Sequence, residues 1–221
     1  MRHIWWFSAL LLIAGLGLAR AAEQPTPSAS DIMLGKADAP ITVIEYASLT
    51  CPHCADFDEN TFPEVKKNWI DTGKVKWIFR DFPLNQVAAK ASMVAHCAPR
   101  SEFFTFLDVL FKNQANWATN DNDQLMKALQ RYASLGGISE DKFKSCMADQ
   151  ALYDSILNSQ LVAGRDYGVD STPTFFINGK KVEPPGFMPY DEFEKHLAAA
   201  AAAESHGALH VGSAAPTHSS E

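Results

Sequence analysis

Two cysteines three residues apart carry the chemistry that this sequence most clearly offers. They lie in the segment Thr50-Cys51-Pro52-His53-Cys54. A thiol reacts as its thiolate, and an ordinary cysteine with a pKa of about 8.5 is mostly protonated at neutral pH. The unpaired N–H groups and the positive macrodipole end of a helix N-terminus would favour the thiolate. We therefore expect disulfide exchange, with Cys51 as the exposed attacking sulfur and Cys54 as the resolving sulfur.

The flanking segments predict how this pair is positioned. The apolar run 41–47 comes just before it and is typical of a strand covered on both faces. A helix is predicted to start at Cys51, because Pro52 suits the first helical position, where an N–H group would be unpaired anyway. His53 would add a donor or a positive charge near the sulfur. Further along, Pro63 should kink this helix or split it in two.

The remaining pattern predicts an α/β protein. A second strand is expected over residues 74–80, and helical periodicity follows over 85–167 in four or five pieces. Asn178-Gly179 predicts a type I′ hairpin turn after a late strand. A closing amphipathic helix is expected to start near Tyr190.

The cysteine pair after a strand, together with Thr172-Pro173 at the start of a later strand, resembles the thioredoxin superfamily. Within it the chain is most similar to the DsbA-like thiol-disulfide oxidoreductases of the bacterial periplasm. A lone C-x-x-C would be weak evidence, since zinc and haem sites use similar pieces, but the similarity runs over about residues 35–197. The resemblance implies a thioredoxin-like fold with a helical insertion, which distinguishes DsbA-like proteins from thioredoxin itself.

The resemblance also implies roles for single residues. Glu45 would lie beneath Cys54 and assist its deprotonation; the alternative is a strand-edge acid without a catalytic role. The bond between Thr172 and Pro173 would be cis and would face the active-site disulfide, leaving backbone free to bind extended substrate. Without the resemblance it would be an ordinary trans bond. Many DsbA proteins carry valine where this chain has Thr172, which bears on redox strength and substrate preference.

Cys97 and Cys146 form the second cysteine pair. Neither their spacing nor the number of candidate ligands suggests zinc. In an oxidising compartment we expect a structural disulfide, which loop-closure reasoning values at about 4 kcal/mol. A regulatory or relay role is the alternative.

The N-terminus has the pattern of a secretory signal. Arg2 precedes an apolar run, and Ala19-Arg20-Ala21 supplies a small-x-small cleavage site. The alternative is an uncleaved membrane anchor, although the run is shorter than the roughly 20 residues that a span needs. Export to the periplasm follows from the first interpretation.

The predicted organisation of the chain has six parts. They are a signal peptide (1–21), a flexible leader with nothing to bury (22–34), the first part of a thioredoxin core (35–84), a helical insertion (85–167), the second part of the core (168–203) and a disordered tail (204–221). The formal net charge is −7, and cleavage of the signal would remove Arg2 and Arg20, so nucleic-acid binding is disfavoured.

The sequence therefore predicts a periplasmic disulfide oxidase that acts on reduced, unfolded exported proteins and is reoxidised by a membrane partner resembling DsbB. A monomer without cofactor or metal is expected. One alternative is a reductase or isomerase of the same fold, weakened because no added dimerisation domain is evident. Another is a non-catalytic exported metal-binding or surface protein that uses Cys51, Cys54 and histidines as ligands. The tail histidines His206, His210 and His218 could also chelate a metal, but we expect a solvated tail.

Overall fold

The computed structural model describes residues 23–211, with side chains described as far as His206. The strands are β1 (Met33–Leu34), β2 (Ile41–Ala47), β3 (Val75–Asp81), β4 (Thr174–Ile177) and β5 (Lys180–Lys181). The α-helices are α1 (Pro52–Asn60), α2 (Phe62–Val65), α3 (Gln86–Cys97), α4 (Phe103–Lys112), α5 (Gln114–Trp117), α6 (Asn122–Leu135), α7 (Glu140–Met147), α8 (Gln150–Tyr167) and α9 (Tyr190–Val211). A π-helical segment (Lys66–Ile70) and a 3-10 turn (Arg100–Glu102) complete the helical elements in this part of the chain.

The strands form one mixed sheet in the order β1-β3-β2-β4-β5. β2 and β3 are parallel, whereas the other pairs are antiparallel. In β2 every residue except Thr42 is buried, as its near-continuous apolar sequence predicts. Tyr46 pairs with Thr174, so the end of β2 that leads to Cys51 lies beside the start of β4 that follows Pro173. The sheet topology thus brings the two sequence motifs together.

The helix after β2 is split, as Pro63 predicts. α1 ends at Asn60, and the buried Thr61 donates its hydroxyl to the main-chain oxygen of Met188 at 2.7 Å. Pro63 lies in the first turn of α2, where it removes no helical hydrogen bond. The break lets α1 hold the cysteines while α2 packs against α9.

The helices α3 to α8 lie between β3 and β4 in the chain. Side chains cap four of them; Asp121 and Ser139, for example, accept hydrogen bonds from the first turns of α6 and α7. The structure has six α-helices in this stretch, whereas the periodicity predicted four or five. The unpredicted helix is α5, which spans a single turn.

The turn between β4 and β5 matches its sequence signal. Asn178 and Gly179 have φ angles of 47° and 78°, the left-handed pair that a type I′ turn requires. The register confirms a two-residue loop, because Ile177 pairs with Lys180.

The leader differs from the prediction. Pro25 is buried, and the guanidinium of Arg80 donates to the Thr26 main-chain oxygen and to both carboxylate oxygens of Asp31. Arg100 also donates to the Asp31 main-chain oxygen. The expectation of a leader with nothing to bury is therefore wrong, because two arginines later in the chain donate hydrogen bonds to oxygen atoms of the leader.

The C-terminal helix also differs, since α9 continues to Val211 rather than ending at 203. The predicted signal peptide and residues 212–221 of the predicted tail lie outside the described residues. Within residues 23–211, no helix combines the length and apolar character that crossing a bilayer requires.

Candidate active site

Cys51 is the N-cap residue of α1. It has extended backbone angles (φ −85°, ψ 120°), and Pro52 follows in the first turn. Cys51 and Cys54 are both free thiols, so the structure shows the dithiol state. Cys51 is only 5% exposed and Cys54 is fully buried. The prediction of an exposed Cys51 is wrong, because the loop before β4 covers the sulfur, but Cys51 remains the more accessible of the pair.

The surroundings of Cys51 stabilise its thiolate. Hydrogen bonding from the Cys54 thiol is the largest cause that lowers the pKa of Cys51, from 9.0 to about 5, against the opposing effect of burial. The Thr172 side chain and the N–H groups of Cys54 and His53 lower it further. The side chain of His53 is exposed, and this residue lowers the pKa of Cys51 through its main-chain N–H group. These donors are the groups that a helix N-terminus leaves unpaired.

Cys54 has the opposite character. Burial raises its pKa well above 9.0, and hydrogen bonding to Cys51 and the charges of Cys51 and Glu45 raise it further. A thiol that resists ionisation can donate its S–H to a neighbouring thiolate. The two sulfurs therefore differ in acidity in the direction that the sequence predicted.

Glu45 lies on the central strand β2, paired with Phe79 on one side and Phe175 on the other. It is 6% exposed, so the alternative of a strand-edge acid does not describe it. Its Oε2 accepts a hydrogen bond from Trp77 Nε1 at 3.2 Å. Burial, followed by the charge of Asp58, raises the pKa of Glu45 to about 8. Glu45 can therefore hold a proton at neutral pH.

Asp58 is a site residue that the sequence reasoning missed. It lies one helical turn after Cys54 on α1, and such a spacing places both side chains on one face. Its Oδ2 is buried and has no hydrogen-bond partner among the described residues. Burial, followed by the charge of Asp108, raises the pKa of Asp58 to about 7. The spacing of four residues was the signal that could have found it.

The loop before β4 covers the attacking sulfur. The Thr172–Pro173 bond is cis, as the resemblance implied. The Cys51 thiol donates to the Thr172 main-chain oxygen at 3.3 Å. The Thr172 hydroxyl is buried near this sulfur and makes no hydrogen bond to the described residues in the dithiol state, although it favours the thiolate. Ionised Cys51 would give that hydroxyl an acceptor.

Cys97 and Cys146 form a disulfide that joins the end of α3 to α7, with their Cα atoms 6.0 Å apart. This separation lies within the usual range for disulfides. Both residues belong to the same apolar cluster as Cys51 and Cys54. The disulfide therefore links two helices of the insertion within an apolar cluster that the insertion shares with the active-site cysteines.

The metal-binding alternative can be compared with the structure over the described part of the chain alone. Within it, no group of three or more His, Cys, Asp or Glu side chains is arranged to hold a metal ion. His206 lies on α9, while the His210 side chain and His218 fall outside the described atoms.

Comparisons with known proteins agree with this geometry. A family model described as Thioredoxin matches residues 28–199. The crystal structure of Wolbachia pipientis alpha-DsbA1 aligns with a TM-score of 0.76 at 34% identity, covering 82% of this chain and 96% of that one. Disulfide bond formation protein D of Bacillus subtilis is 30% identical over 174 residues, which are 75% of this chain and 74% of that protein.

A Rickettsia bellii protein with the provisional name protein-disulfide oxidoreductase is 32% identical over 155 residues, or 70% of this chain. The aligned part is only 59% of that relative, so the chain spans little more than half of its length. The match over residues 28–199 and the likeness to alpha-DsbA1 confirm the predicted thioredoxin-like fold with a helical insertion. The chain thus belongs to the DsbA-like thiol-disulfide oxidoreductases of the thioredoxin superfamily.

Proposed function

We propose that this protein is an exported dithiol oxidase that introduces disulfide bonds into reduced, unfolded exported proteins. The observation that carries the proposal is the contrast between the two thiols, because the pKa of Cys51 is lowered to about 5 while that of the buried Cys54 is raised. A dithiol that is stabilised in its reduced form makes the matching disulfide a strong oxidant.

The proposed reaction starts from the Cys51–Cys54 disulfide. A substrate thiolate attacks Cys51 Sγ, a mixed disulfide forms, and the sulfur of Cys54 leaves. A second substrate thiolate then attacks the substrate sulfur of the mixed disulfide and expels Cys51 as a thiolate. The substrate loses two electrons and gains a disulfide, and the enzyme ends as the dithiol. The low pKa of Cys51 makes it a good leaving group in the second step.

We assign Glu45 the proton transfer at Cys54. The departing Cys54 sulfur must take a proton, since its pKa in this buried position is raised. Glu45, with a pKa of about 8, still carries its proton at neutral pH and can supply it. In the reverse reaction the same carboxylate would accept the proton of the Cys54 thiol.

Thr172 and Pro173 are the proposed substrate-binding residues. The main-chain oxygen of Thr172 lies beside Cys51 Sγ, and β4 starts directly after Pro173. An extended substrate segment could bond to this backbone while its own sulfur faces Cys51.

We place the protein in the periplasm, exported by a cleavable signal at residues 1–21. The Cys97–Cys146 disulfide supports an oxidising compartment. A membrane protein resembling DsbB would return the dithiol to the disulfide. The division of the chain into two core parts around the insertion 85–167 remains part of this proposal.

Two measurements test the oxidase function. Oxidised protein mixed with a reduced, unfolded substrate should yield substrate disulfides in stoichiometric amounts by mass spectrometry, and the Cys51→Ser variant should yield none. The equilibrium of the Cys51/Cys54 couple with glutathione should lie toward the dithiol. If the Cys51/Cys54 couple were as reducing as that of thioredoxin, the proposed oxidase function would be rejected and a reductase function favoured.

A further inference from the structure

We propose that Gln114, on the unpredicted helix α5, is a positioning residue. It holds the main-chain carbonyl groups of Leu49 and Cys51, and thereby orients the Cys51 sulfur toward the N-terminus of α1. The inference rests on the proposed function only in taking Cys51 as the attacking sulfur. Gln114 comes from the helical insertion, whereas the loop that it holds belongs to the thioredoxin core.

The side-chain amide of Gln114 bonds to two carbonyl groups of the catalytic loop. Its Nε2 donates to the main-chain oxygen of Leu49 at 2.9 Å and to that of Cys51 at 3.1 Å. A primary amide has two N–H donors, so each carbonyl receives one. The Cys51 oxygen also accepts from Ala55 N at 3.2 Å, and its two lone pairs accommodate both donors.

The insertion holds Gln114 firmly in place. Gln114 is the first residue of α5, and Trp117 at the other end of that helix is 1% exposed. The Trp117 Nε1 donates to the Leu110 oxygen at 2.7 Å, while the Asn113 side chain donates to the Val109 oxygen at 2.8 Å. The first bond ties α5 to α4, and the second ties the residue before α5 to α4, which in turn packs against α1. The amide is therefore presented by rigid elements, as a preorganised site requires.

The loop has little freedom left between the held groups. The Cys51 N–H donates to the Ser48 oxygen at 3.0 Å, and Asn85 donates to the Thr50 hydroxyl at 3.1 Å. Without Gln114, the Leu49 carbonyl would lose this donor, and the peptide after Cys51 would depend on the first helical bond alone. The orientation of Cys51 decides whether its sulfur meets the N–H groups of His53 and Cys54. Hydrogen bonds weaken steeply as their angle departs from linearity, so a small rotation would reduce this stabilisation.

A merely structural role for Gln114 makes a different prediction. Removing a donor from two carbonyls would lower the free energy of unfolding in either case. Only a positioning role would also change the titration of the Cys51 thiol. The decisive readout is therefore the Cys51 pKa, which does not depend on global stability so long as the protein is folded.

The test uses full-length reduced protein and the absorbance of the Cys51 thiolate at 240 nm against pH. Gln114→Met keeps the side-chain length and removes both donors. We expect it to raise the Cys51 pKa, so that the thiolate fraction below the midpoint falls by about threefold to tenfold. The matched control is Gln150→Met, because Gln150 is exposed on α8 and its amide donates to Asp154 in the same helix. The control should titrate as the wild type does.

An unchanged Cys51 titration in folded Gln114→Met would overturn the proposal, even if its melting temperature fell. Should Gln114→Met not fold, Gln114→Asn gives the same decision, because it keeps the amide but shortens the side chain by one methylene. The titration needs no substrate. A wild-type protein that fails to oxidise substrates would therefore reject the proposed function without affecting this result.

Discussion

The sulfur of Cys51 lies 3.3 Å from the main-chain oxygen of Thr172, although the two residues are 121 positions apart in the chain. The antiparallel pairing of β2 with β4 produces this contact, because it places the end of one strand beside the start of the other. The reactivity of Cys51 is therefore set jointly by a loop before the insertion and a loop after it.

The identity of residue 54 should control the acidity of Cys51. The Cys54 thiol is the largest cause of the lowered pKa of Cys51. Cys54→Ala removes the donor, and we expect the Cys51 pKa to rise by about 1 to 2 units, as for a lost hydrogen bond to a charged group. Cys54→Ser retains a hydroxyl donor and should keep most of the effect. Ultraviolet titration compares them, and equal pKa values in the two variants would contradict the assignment.

The stability of the reduced protein should depend on pH through Cys51. Its pKa is lowered from 9.0 to about 5 on folding, so the thiolate stabilises the folded state fully above pH 9. This contribution is lost as the pH falls through 5. Relative to Cys51→Ser, we expect about 3 kcal/mol at pH 7 and almost none at pH 4. Urea unfolding under reducing conditions provides the measurement, and a difference independent of pH would refute the prediction.

Glu45→Gln should stabilise the folded protein while slowing formation of the mixed disulfide. The pKa of Glu45 is raised from 4.5 to about 8, so the wild type loses stability as the pH rises through this interval, because the unfolded carboxyl ionises first. The variant avoids this loss and should gain about 5 kcal/mol at pH 9 and almost nothing at pH 4. Trp77 can still donate to the new amide oxygen.

The same variant should form the mixed disulfide about a hundredfold more slowly at pH 7, because Cys54 loses its proton donor. Stopped-flow kinetics with a reduced peptide would measure this step. Asp56→Asn is the matched control, since Asp56 is an exposed acid on α1. An equally slow Asp56→Asn protein would show that the slowing is not specific to Glu45.

The hydroxyl of Thr172 should shift the redox equilibrium of the Cys51/Cys54 pair toward the dithiol. It is buried beside Cys51 without a partner among the described residues, and it favours the thiolate. Thr172→Val keeps the shape and removes the hydroxyl, so the Cys51 pKa should rise and the glutathione equilibrium should shift toward the disulfide by about tenfold. Thr172→Ser should resemble the wild type. A valine variant with unchanged equilibrium would show that the hydroxyl has no such role.

Removal of the Cys97–Cys146 disulfide should lower the free energy of unfolding. The bridge between Cys97 and Cys146 closes a loop with a sequence separation of 49, for which chain entropy predicts a loss of about 4 kcal/mol. We expect the double variant Cys97→Ala and Cys146→Ala to lose this amount in urea unfolding. The glutathione equilibrium of Cys51 and Cys54 provides the second readout. A changed equilibrium would favour the regulatory alternative over a purely structural bridge.

The sequence predicted those features that depend on local chemistry. The burial of β2 followed from its apolar run, the helix break from Pro63, and the hairpin from Asn178 and Gly179. Each of these depends on neighbouring residues alone, which is why a single sequence was sufficient.

The errors concern contacts between distant segments. Cys51 is buried by Thr172, a residue on another loop, and the leader is held by Arg80 and Arg100. Nothing near Gln114 marks it as a partner of a loop more than sixty residues earlier. Such pairings are set by how the insertion packs on the core, and periodicity within one segment contains no information about them.

The chain order of the site has a consequence for biosynthesis. A polypeptide that emerges from its N-terminus presents Cys51 and Cys54 before any of the insertion, and Thr172 only after all of it. Until β4 docks beside β2, a growing chain carries two thiols without Thr172, which lowers the pKa of Cys51 further. The protein thus acquires its full reactivity late, when Cys97 and Cys146 are already part of the chain and can form their disulfide.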